Sequence, residues 1–303
     1  MLYRGLGFAR AVVRIVAMCA LVLAIDALVF ALDARQSAIV ARGADLASAV
    51  DLRPQIKERG LAVRDQGDRL TCSVFAMTFL IEYQAIGSRE APRGLDLSEE
   101  YLNWAGNELA GPPFQDGGKF SRFINAFETW GIATAAQMPY RGRFDPADPV
   151  APTQAVIASA RSAFASRYPF TQIKSWDNST GLTGSQLRTI LDMLRAGRPI
   201  AASAWWQYNY VTDDVAGVPL ARDYPRAQNS VFMDAPMFDG HSIDLVGFRE
   251  DPQFPGGGYF IFRNSYGSDF GHDGYGFVSF NYIRTFTTAA VAISPLTSLV
   301  EVR

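Results

Sequence analysis

The chain contains very little cysteine: only Cys19 and Cys72 among 303 residues. Cys19 lies in a hydrophobic N-terminal segment, so the rest of the chain cannot form an internal disulfide. This excludes a disulfide-stapled scaffold, and packing alone must hold the fold. Histidine is equally scarce, with only His241 and His272. No histidine or cysteine lies at ligand spacing from His272, so neither a metal site nor a cofactor is expected.

The chain also lacks a surplus of charge, with 28 Lys and Arg against 30 Asp and Glu and a formal net charge of -2. Such a balance gives no basic surface for nucleic acid, so a nucleic-acid partner is excluded. Hydrophobic residues make up 49% of the sequence and charged residues 19%. This composition predicts a globular chain with room for one large domain or two lobes. We find no internal repeat and no low-complexity tract.

The one long hydrophobic run is at the N terminus, where Asp26 interrupts it between residues 15 and 32. Arginines precede the run, a pattern typical of a targeting segment. Residues 1–34 are therefore predicted to be a signal peptide or a membrane anchor, with residues 15–32 providing any membrane attachment. A charge near the middle of a bilayer helix is costly, which favours cleavage. Both alternatives predict an exported protein, periplasmic or extracellular.

Residues 35–50 form an alanine-rich connector, and the folded domain is predicted to span residues 51–303. Apolar positions at helical spacing dominate its first half, about 65–165, whereas short apolar runs separated by Gly, Pro and Asp dominate about 185–303. Helices are predicted over Cys72–Gln84, after the N-cap Ser98, over Phe120–Trp130, over about 154–165 and over Ser185–Arg195. Strands are predicted in PIAASAWW, HSIDLVGF, GYFIFRNS and YGFVSF. Residues 207–239 show no clear period and read as a long loop.

Cys72 stands where a glycine-containing turn enters an apolar helix. The positive end of the helix dipole favours a thiolate there, and the thiolate is the nucleophilic form. The alternative is a structural thiol buried in a core helix.

His241 begins an apolar strand and Asn264 ends the next one. The amide oxygen of Asn264 could accept a hydrogen bond from the imidazole and orient it, although a structural histidine is the alternative.

An attacked carbonyl oxygen becomes negative in the transition state and requires hydrogen-bond donors. Gln66, six residues before Cys72, carries an amide N–H with the right chemistry. Together with the backbone N–H of Cys72, it is a candidate oxyanion hole. A glutamine in a turn is otherwise commonplace.

These residues and their surroundings resemble the papain-like cysteine peptidases from Asp51 to Ile283. DLRPQ…VRDQG resembles the family's mature N terminus, Gln66 and Cys72 keep its spacing, and LSEEYL resembles the following helix. WGIATAAQMPY, GHSIDLVGF and FRNSYGSDFGHDGYGF resemble its Tyr-Pro-Tyr segment, histidine strand and asparagine loop. The motifs also occur in the family's order.

The resemblance implies an α+β, papain-like, two-lobed fold, with a helical lobe, a β-barrel-like lobe and the active cleft between them. It implies hydrolysis of a peptide or protein substrate through an acyl-enzyme on Cys72. His241 would act as base and acid, Asn264 as orienter and Gln66 in the oxyanion hole. Residues implied to bind substrate are Leu70, Gly117, Gly118, Gly240 and Tyr266.

Departures from the family pattern leave alternatives open. Ser73 and Tyr266 stand where the family usually has tryptophan, and Leu70 stands where a glycine borders the pocket. The family's usual disulfides and long prosegment are also missing. A transferase or a hydrolase of cell-wall peptides or isopeptides remains a second hypothesis. A non-catalytic binding module with the same fold is a third.

Overall fold

The computed structural model describes residues 48–164, 168–207 and 238–294. Nearly everything described lies in one unit, residues 49–303. The predicted signal peptide or anchor, most of the connector and most of the 207–239 loop lie outside the described residues. Among the described helices, none is long and apolar enough to cross a membrane.

The first part of the domain is helical after one short strand, β1 (Ala49–Asp51). The helices that position the site are α2, which begins at the candidate nucleophile, and α3, which begins after Ser98. The bounds in this part are α1 Arg53–Glu58, α2 Cys72–Gly87, α3 Glu99–Ala110, α4 Phe120–Trp130 and α5 Gln154–Phe164.

Two of these helix ends follow from local sequence. The Ser98 side chain accepts a hydrogen bond from the Tyr101 N–H, which caps α3 at its N terminus. Gly131, with φ 65°, ends α4 in a backbone conformation that favours glycine. Both predictions are confirmed.

In the described residues, the second part of the domain is a sheet with two accompanying helices. It contains the predicted strands and two, β2 and β7, that the sequence pattern did not single out. Its elements are β2 Phe170–Lys174, α6 Gly184–Arg195, β3 Ile200–Gln207, β4 Phe238–Glu250, β5 Gly258–Arg263, β6 Tyr275–Ser279, α7 Phe280–Phe286 and β7 Thr287–Ile293.

The described strands form one antiparallel sheet in the order β2-β7-β3-β4-β5-β6, with β1 paired to β4. The helix-plus-sheet class is therefore confirmed. The expected barrel-like closure is wrong, because among the described residues β2 and β6 remain at opposite ends of an open sheet.

Helix α2 joins the helical part to the sheet. It contacts β3, β4 and β7 on one side and α3 and α4 on the other. Nearly all of its side chains are buried, including Met77, Phe79 and Ile81, each with no exposed surface. Helix α2 is consequently held between the other helices and the sheet.

Candidate active site

His241 and Asn264 are brought together by adjacent strands of the sheet. Strand β4 carries His241, and Asn264 follows the last residue of β5. The Nε2 atom of His241 lies 2.8 Å from Oδ1 of Asn264, and both residues are buried. The predicted pairing of this imidazole with this amide is therefore seen in the structure.

The amide orientation of Asn264 is defined by a second contact. The backbone N–H of Ser265, which can only donate, lies 2.9 Å from the same Oδ1 atom. Oδ1 is therefore the oxygen, and the hydrogen on His241 must reside on Nε2. In the neutral ring this leaves Nδ1 as the lone-pair nitrogen that accepts protons.

Aromatic rings enclose His241. The Tyr266 ring stacks on the imidazole at a centroid distance of 4.9 Å and an interplanar angle of 25°. Its hydroxyl oxygen lies 3.4 Å from Nδ1. Trp206 packs against His241 with centroids 5.6 Å apart. Tyr266 thus contacts the histidine directly, where the family pattern has a tryptophan.

Cys72 is the first residue of α2 and is partly buried. Thr71 does not cap the helix with its side chain. Its hydroxyl instead lies 2.7 Å from that of Tyr140, whose own hydrogen goes to the Gln66 carbonyl at 2.8 Å. These hydrogen bonds hold the start of α2 in place. The positive end of the helix dipole acts on the Cys72 thiol there.

Gln66 links the loop before Cys72 to the loop that carries Asn264. Its backbone N–H donates to the Ser265 carbonyl at 2.8 Å, and its Oε1 accepts from the Ser265 hydroxyl at 2.6 Å. Its Nε2 donates to the carbonyl of Arg69 at 2.6 Å. An amide nitrogen carries two hydrogens, and this bond uses one of them.

Gly117 and Gly118 lie beside the start of α2. Gly118 donates its N–H to the Ser73 hydroxyl at 3.1 Å. Gly117 has φ 65°, and a Cβ there would overlap the carbonyl oxygen of Leu70. The small polar Ser73 therefore fits where a tryptophan was expected, since it accepts a hydrogen bond from the glycine pair.

The remaining predicted substrate-binding positions are also placed. The Leu70 side chain is 66% exposed while its carbonyl backs onto Gly117. Gly240 is exposed and pairs with Trp205 in the sheet, one residue before His241. Leu70 is thus an exposed apolar side chain two residues before Cys72.

The sequence motifs did not predict the polar residues behind these loops. The buried Arg69 forms an ion pair at 2.7 Å with the partly buried Asp116, and the Tyr140 ring centroid lies 4.6 Å from the same guanidinium. Burial raises the pKa of Tyr140 to about 12, so its hydroxyl remains protonated and keeps donating. The local sequence around an arginine in a polar turn does not show whether its side chain is buried or solvated. Only the tertiary structure shows that Arg69 is buried and paired with Asp116.

No group of three or more His, Cys, Asp or Glu residues in the described parts of the chain is arranged to hold a metal ion. The backbone N–H of His272 donates to the Tyr275 carbonyl at 2.9 Å, and its ring packs on Phe277. His272 is thus part of the loop structure.

Comparison with known proteins agrees with this fold. Residues 46–295 match the family model described as papain family cysteine protease. The comparison with curated proteins found no match. Among solved structures, xylellain, a cysteine protease from Xylella fastidiosa, is similar at 18% identity with a TM-score of 0.60, covering 82% of this chain and 87% of that one.

Two further structures are similar in fold. Procathepsin L 3 from the larval midgut of Tenebrio molitor matches at 20% identity and a TM-score of 0.50, covering 82% of this chain and 70% of that one. A structure from a study of the mite allergens Blo t 1 and Der p 1 matches at 18% identity and a TM-score of 0.52, covering 82% and 71%.

The helix-and-sheet fold is that of the papain-like proteases. The family match spans most of the chain, so the chain belongs to the papain family of cysteine proteases and is a hydrolase.

Proposed function

We propose that the protein cleaves peptide bonds through an acyl-enzyme formed on Cys72, with His241, Asn264 and Gln66 as the other catalytic residues. The observation that carries this is the His241–Asn264 hydrogen bond of 2.8 Å, joined through Ser265 to Gln66. That chain of contacts connects three of the four predicted residues.

In the proposed mechanism Cys72 attacks as a thiolate. The Nδ1 atom of His241 takes the thiol proton, and the positive end of the α2 dipole favours the resulting charge. The sulfur forms a bond to the substrate carbonyl carbon. As the C–N bond breaks, Nδ1 returns the proton to the leaving amine. Water then attacks the thioester, giving its proton to His241, and the thiolate leaves.

Asn264 holds the imidazole for both proton transfers. Its oxygen accepts from Nε2, and Ser265 fixes that oxygen through its backbone N–H. The hydrogen bond to Nε2 becomes charge-assisted when His241 is protonated, so it also stabilises the imidazolium.

Gln66 supplies the oxyanion donor in this proposal. Its Nε2 keeps one hydrogen on the Arg69 carbonyl, and the second is directed to the developing oxyanion. Removal of one such donor typically costs on the order of 3 kcal/mol of transition-state stabilisation.

An extended peptide substrate is proposed to lie along Gly117 and Gly118. Gly118 and the Leu70 side chain are exposed beside the start of α2. The absence of side chains on the glycines lets a substrate backbone approach closely. Leu70 offers an apolar contact to a substrate side chain, and Tyr266 and Gly240 border the histidine.

The direct test is thiol-dependent hydrolysis of a peptide library by the purified protein. Replacing Cys72 with alanine should lower kcat by at least about 1000-fold, because the nucleophile is lost. Cys19→Ala is the matched control, since it removes the other cysteine and should leave kcat unchanged. Equal rates for Cys72→Ala and the parent protein would refute the proposed mechanism.

The same preparation separates the alternatives. Added amine nucleophiles would give a new product mass if the enzyme is a transferase, and cell-wall peptides or isopeptides can be added to the substrate panel. A working thiolate–imidazolium pair gives a bell-shaped pH–rate profile. An inert thiol, as in a non-catalytic module, alkylates with a single ordinary cysteine pKa.

We further propose that the domain acts outside the cytoplasm. The support is the arginine-flanked hydrophobic run at residues 15–32. The intact mass of the protein recovered from cells, together with its partition between membrane and soluble fractions, distinguishes a cleaved leader from a retained anchor. A full-length protein recovered from the cytosol would contradict export.

A further inference from the structure

Arg69 lies in the loop between Gln66 and Cys72 and is only 4% exposed. A buried guanidinium is costly unless its donors are paired. Its Nε and Nη2 donate to the two carboxylate oxygens of Asp116 at 3.0 and 2.7 Å. Its Nη1 donates to Glu100 at 2.5 Å and to the Arg141 carbonyl at 2.7 Å. This one side chain therefore connects three separate segments of the helical part.

The Asp116 end of this network holds the glycine pair. Asp116 immediately precedes Gly117, and its Oδ1 also accepts from the Asn103 side chain at 3.0 Å. Asn103 in turn accepts the backbone N–H of Gly117 at 3.0 Å. The planar, two-point contact of Arg69 with Asp116 thus fixes the backbone just before the proposed substrate-binding glycines.

The main chain of Arg69 positions Gln66, the proposed oxyanion donor. Its carbonyl accepts the hydrogen bond from Gln66 Nε2 at 2.6 Å, and this bond sets the rotation of the amide. Beneath the guanidinium, the Tyr140 ring lies 4.6 Å away and its hydroxyl donates to the Gln66 carbonyl. A shift of Arg69 would therefore move Gln66 as well as the glycine pair.

We infer that Arg69 is a positioning residue that places the oxyanion donor Gln66 and the substrate-binding glycines at once, through its ion pairs with Asp116 and Glu100. The inference rests on the proposed function. In the described residues Cys72 is the only cysteine, so no disulfide can tie these segments together there. The charge-assisted hydrogen bonds of Arg69 with Asp116 and Glu100 connect these segments instead.

The test compares Arg69→Met, Arg69→Lys and the parent protein. Arg53→Met is the matched control, because Arg53 makes the same two-point contact with Asp51 at 2.9 and 2.7 Å near the start of the domain. For Arg69→Met we expect kcat/KM on peptides to fall on the order of 100-fold, since misplacement by about 1 Å has that effect. The lysine variant keeps the charge without the planar fork and should be intermediate.

A second measurement separates positioning from general destabilisation. Alkylation of Cys72 by iodoacetamide needs neither the oxyanion donor nor the glycines. Its rate and pH profile should therefore stay at the parent values in Arg69→Met, while kcat falls and KM rises. Parallel loss of alkylation and turnover, or unchanged turnover, would overturn the inference.

If Arg69→Met does not fold, Asp116→Asn is used in its place, because it keeps the shape of the carboxylate and removes its charge. The same split between turnover and alkylation is expected, and its absence refutes the inference. Failure of the parent protein to hydrolyse peptides in a Cys72-dependent way would overturn the proposed function and this inference together. Equal turnover in the parent and the Arg69 variants would overturn the inference alone.

Discussion

Asn264 shows how much a single buried amide can determine. Its oxygen accepts from both Ser265 N–H and His241 Nε2, so it fixes which imidazole nitrogen carries hydrogen. The Nδ1 atom then carries the lone pair of the neutral ring, and the Tyr266 ring stacks on one face of the imidazole. The tautomer, which decides whether the histidine can take a proton from a thiol, thus depends on a residue that does not itself react.

Replacing Asn264 with alanine should lower kcat/KM by roughly 10- to 100-fold, because the imidazole loses the partner that orients it. The side chain is buried and small, so the fold should survive. Steady-state kinetics with circular dichroism as a check of folding measures this effect. Asn178→Ala, at an exposed loop position, is the control and should retain the parent rate. Full activity in Asn264→Ala would contradict the orienting role.

At the scale of the element, helix α2 and the glycine segment beside it form one unit. Apolar residues at helical spacing predicted this helix over Cys72–Gln84. The structure buries almost the whole helix, because the sheet covers one side and α3 and α4 cover another. The N terminus of such a helix cannot shift without moving its neighbours.

Gly117→Ala should destabilise the protein by about 2 kcal/mol or more. A positive φ costs a non-glycine residue about 1–2 kcal/mol, and the added methyl also overlaps the carbonyl of Leu70. Gly94→Ala is the control, since Gly94 has φ 70° but open space around its Cβ position. Urea unfolding should give a larger loss for Gly117→Ala, together with a higher KM. Equal losses of unfolding free energy in the two variants would contradict the predicted overlap between the added methyl group and the Leu70 carbonyl.

At the scale of the whole molecule, the contact between helices and sheet contains a group of buried charges. Glu82 of α2 accepts from Arg64 at 2.8 Å and from the backbone N–H of Leu97 at 2.7 Å. Asp244 of β4 and Arg263 of β5 are partners in the sheet register, and both are buried. Desolvation raises the pKa of Asp244 well above its usual range despite the nearby guanidinium.

Glu99, the first residue of α3, belongs to the same group. Its Oε1 lies 2.9 Å from Arg64 Nη2 without hydrogen-bonding geometry, so the ion pair offsets only part of the desolvation. Burial raises the pKa of Glu99 from 4.5 to about 7. Between these values the folded state binds more protons than the unfolded state. The stability that Glu99 contributes is therefore present at low pH and is lost as pH rises to about 7.

Glu99→Gln should remove this pH dependence. The linkage amounts to roughly 3 kcal/mol at most, since each pKa unit corresponds to about 1.4 kcal/mol. We expect the free energy of unfolding of the parent protein, measured in urea from pH 4.5 to 7.5, to fall relative to that of Glu99→Gln. Glu108→Gln, on the exposed end of α3, is the control and should follow the parent curve. If the difference in unfolding free energy between the parent and Glu99→Gln stayed constant across this pH range, the raised pKa of Glu99 would be contradicted.

Local sequence determined the helix ends, because a serine cap or a glycine with positive φ acts over a few residues. It also determined the order of the candidate site residues, since each motif is contiguous. Only the tertiary structure decided the hydrogen bonds of the buried Arg69, because its partners lie 31 to 72 residues away in the chain.

The sheet beyond the predicted strands was likewise decided by long-range contacts. Strand β7 is buried along its whole length between β2 and β3, so it shows no alternation that a sequence pattern could detect. Whether the sheet closes depends on pairing between its two end strands, which no local signal encodes. The residues of each motif are neighbours in the sequence and can be recognised there. Charge burial and strand order arise only when distant segments pack together.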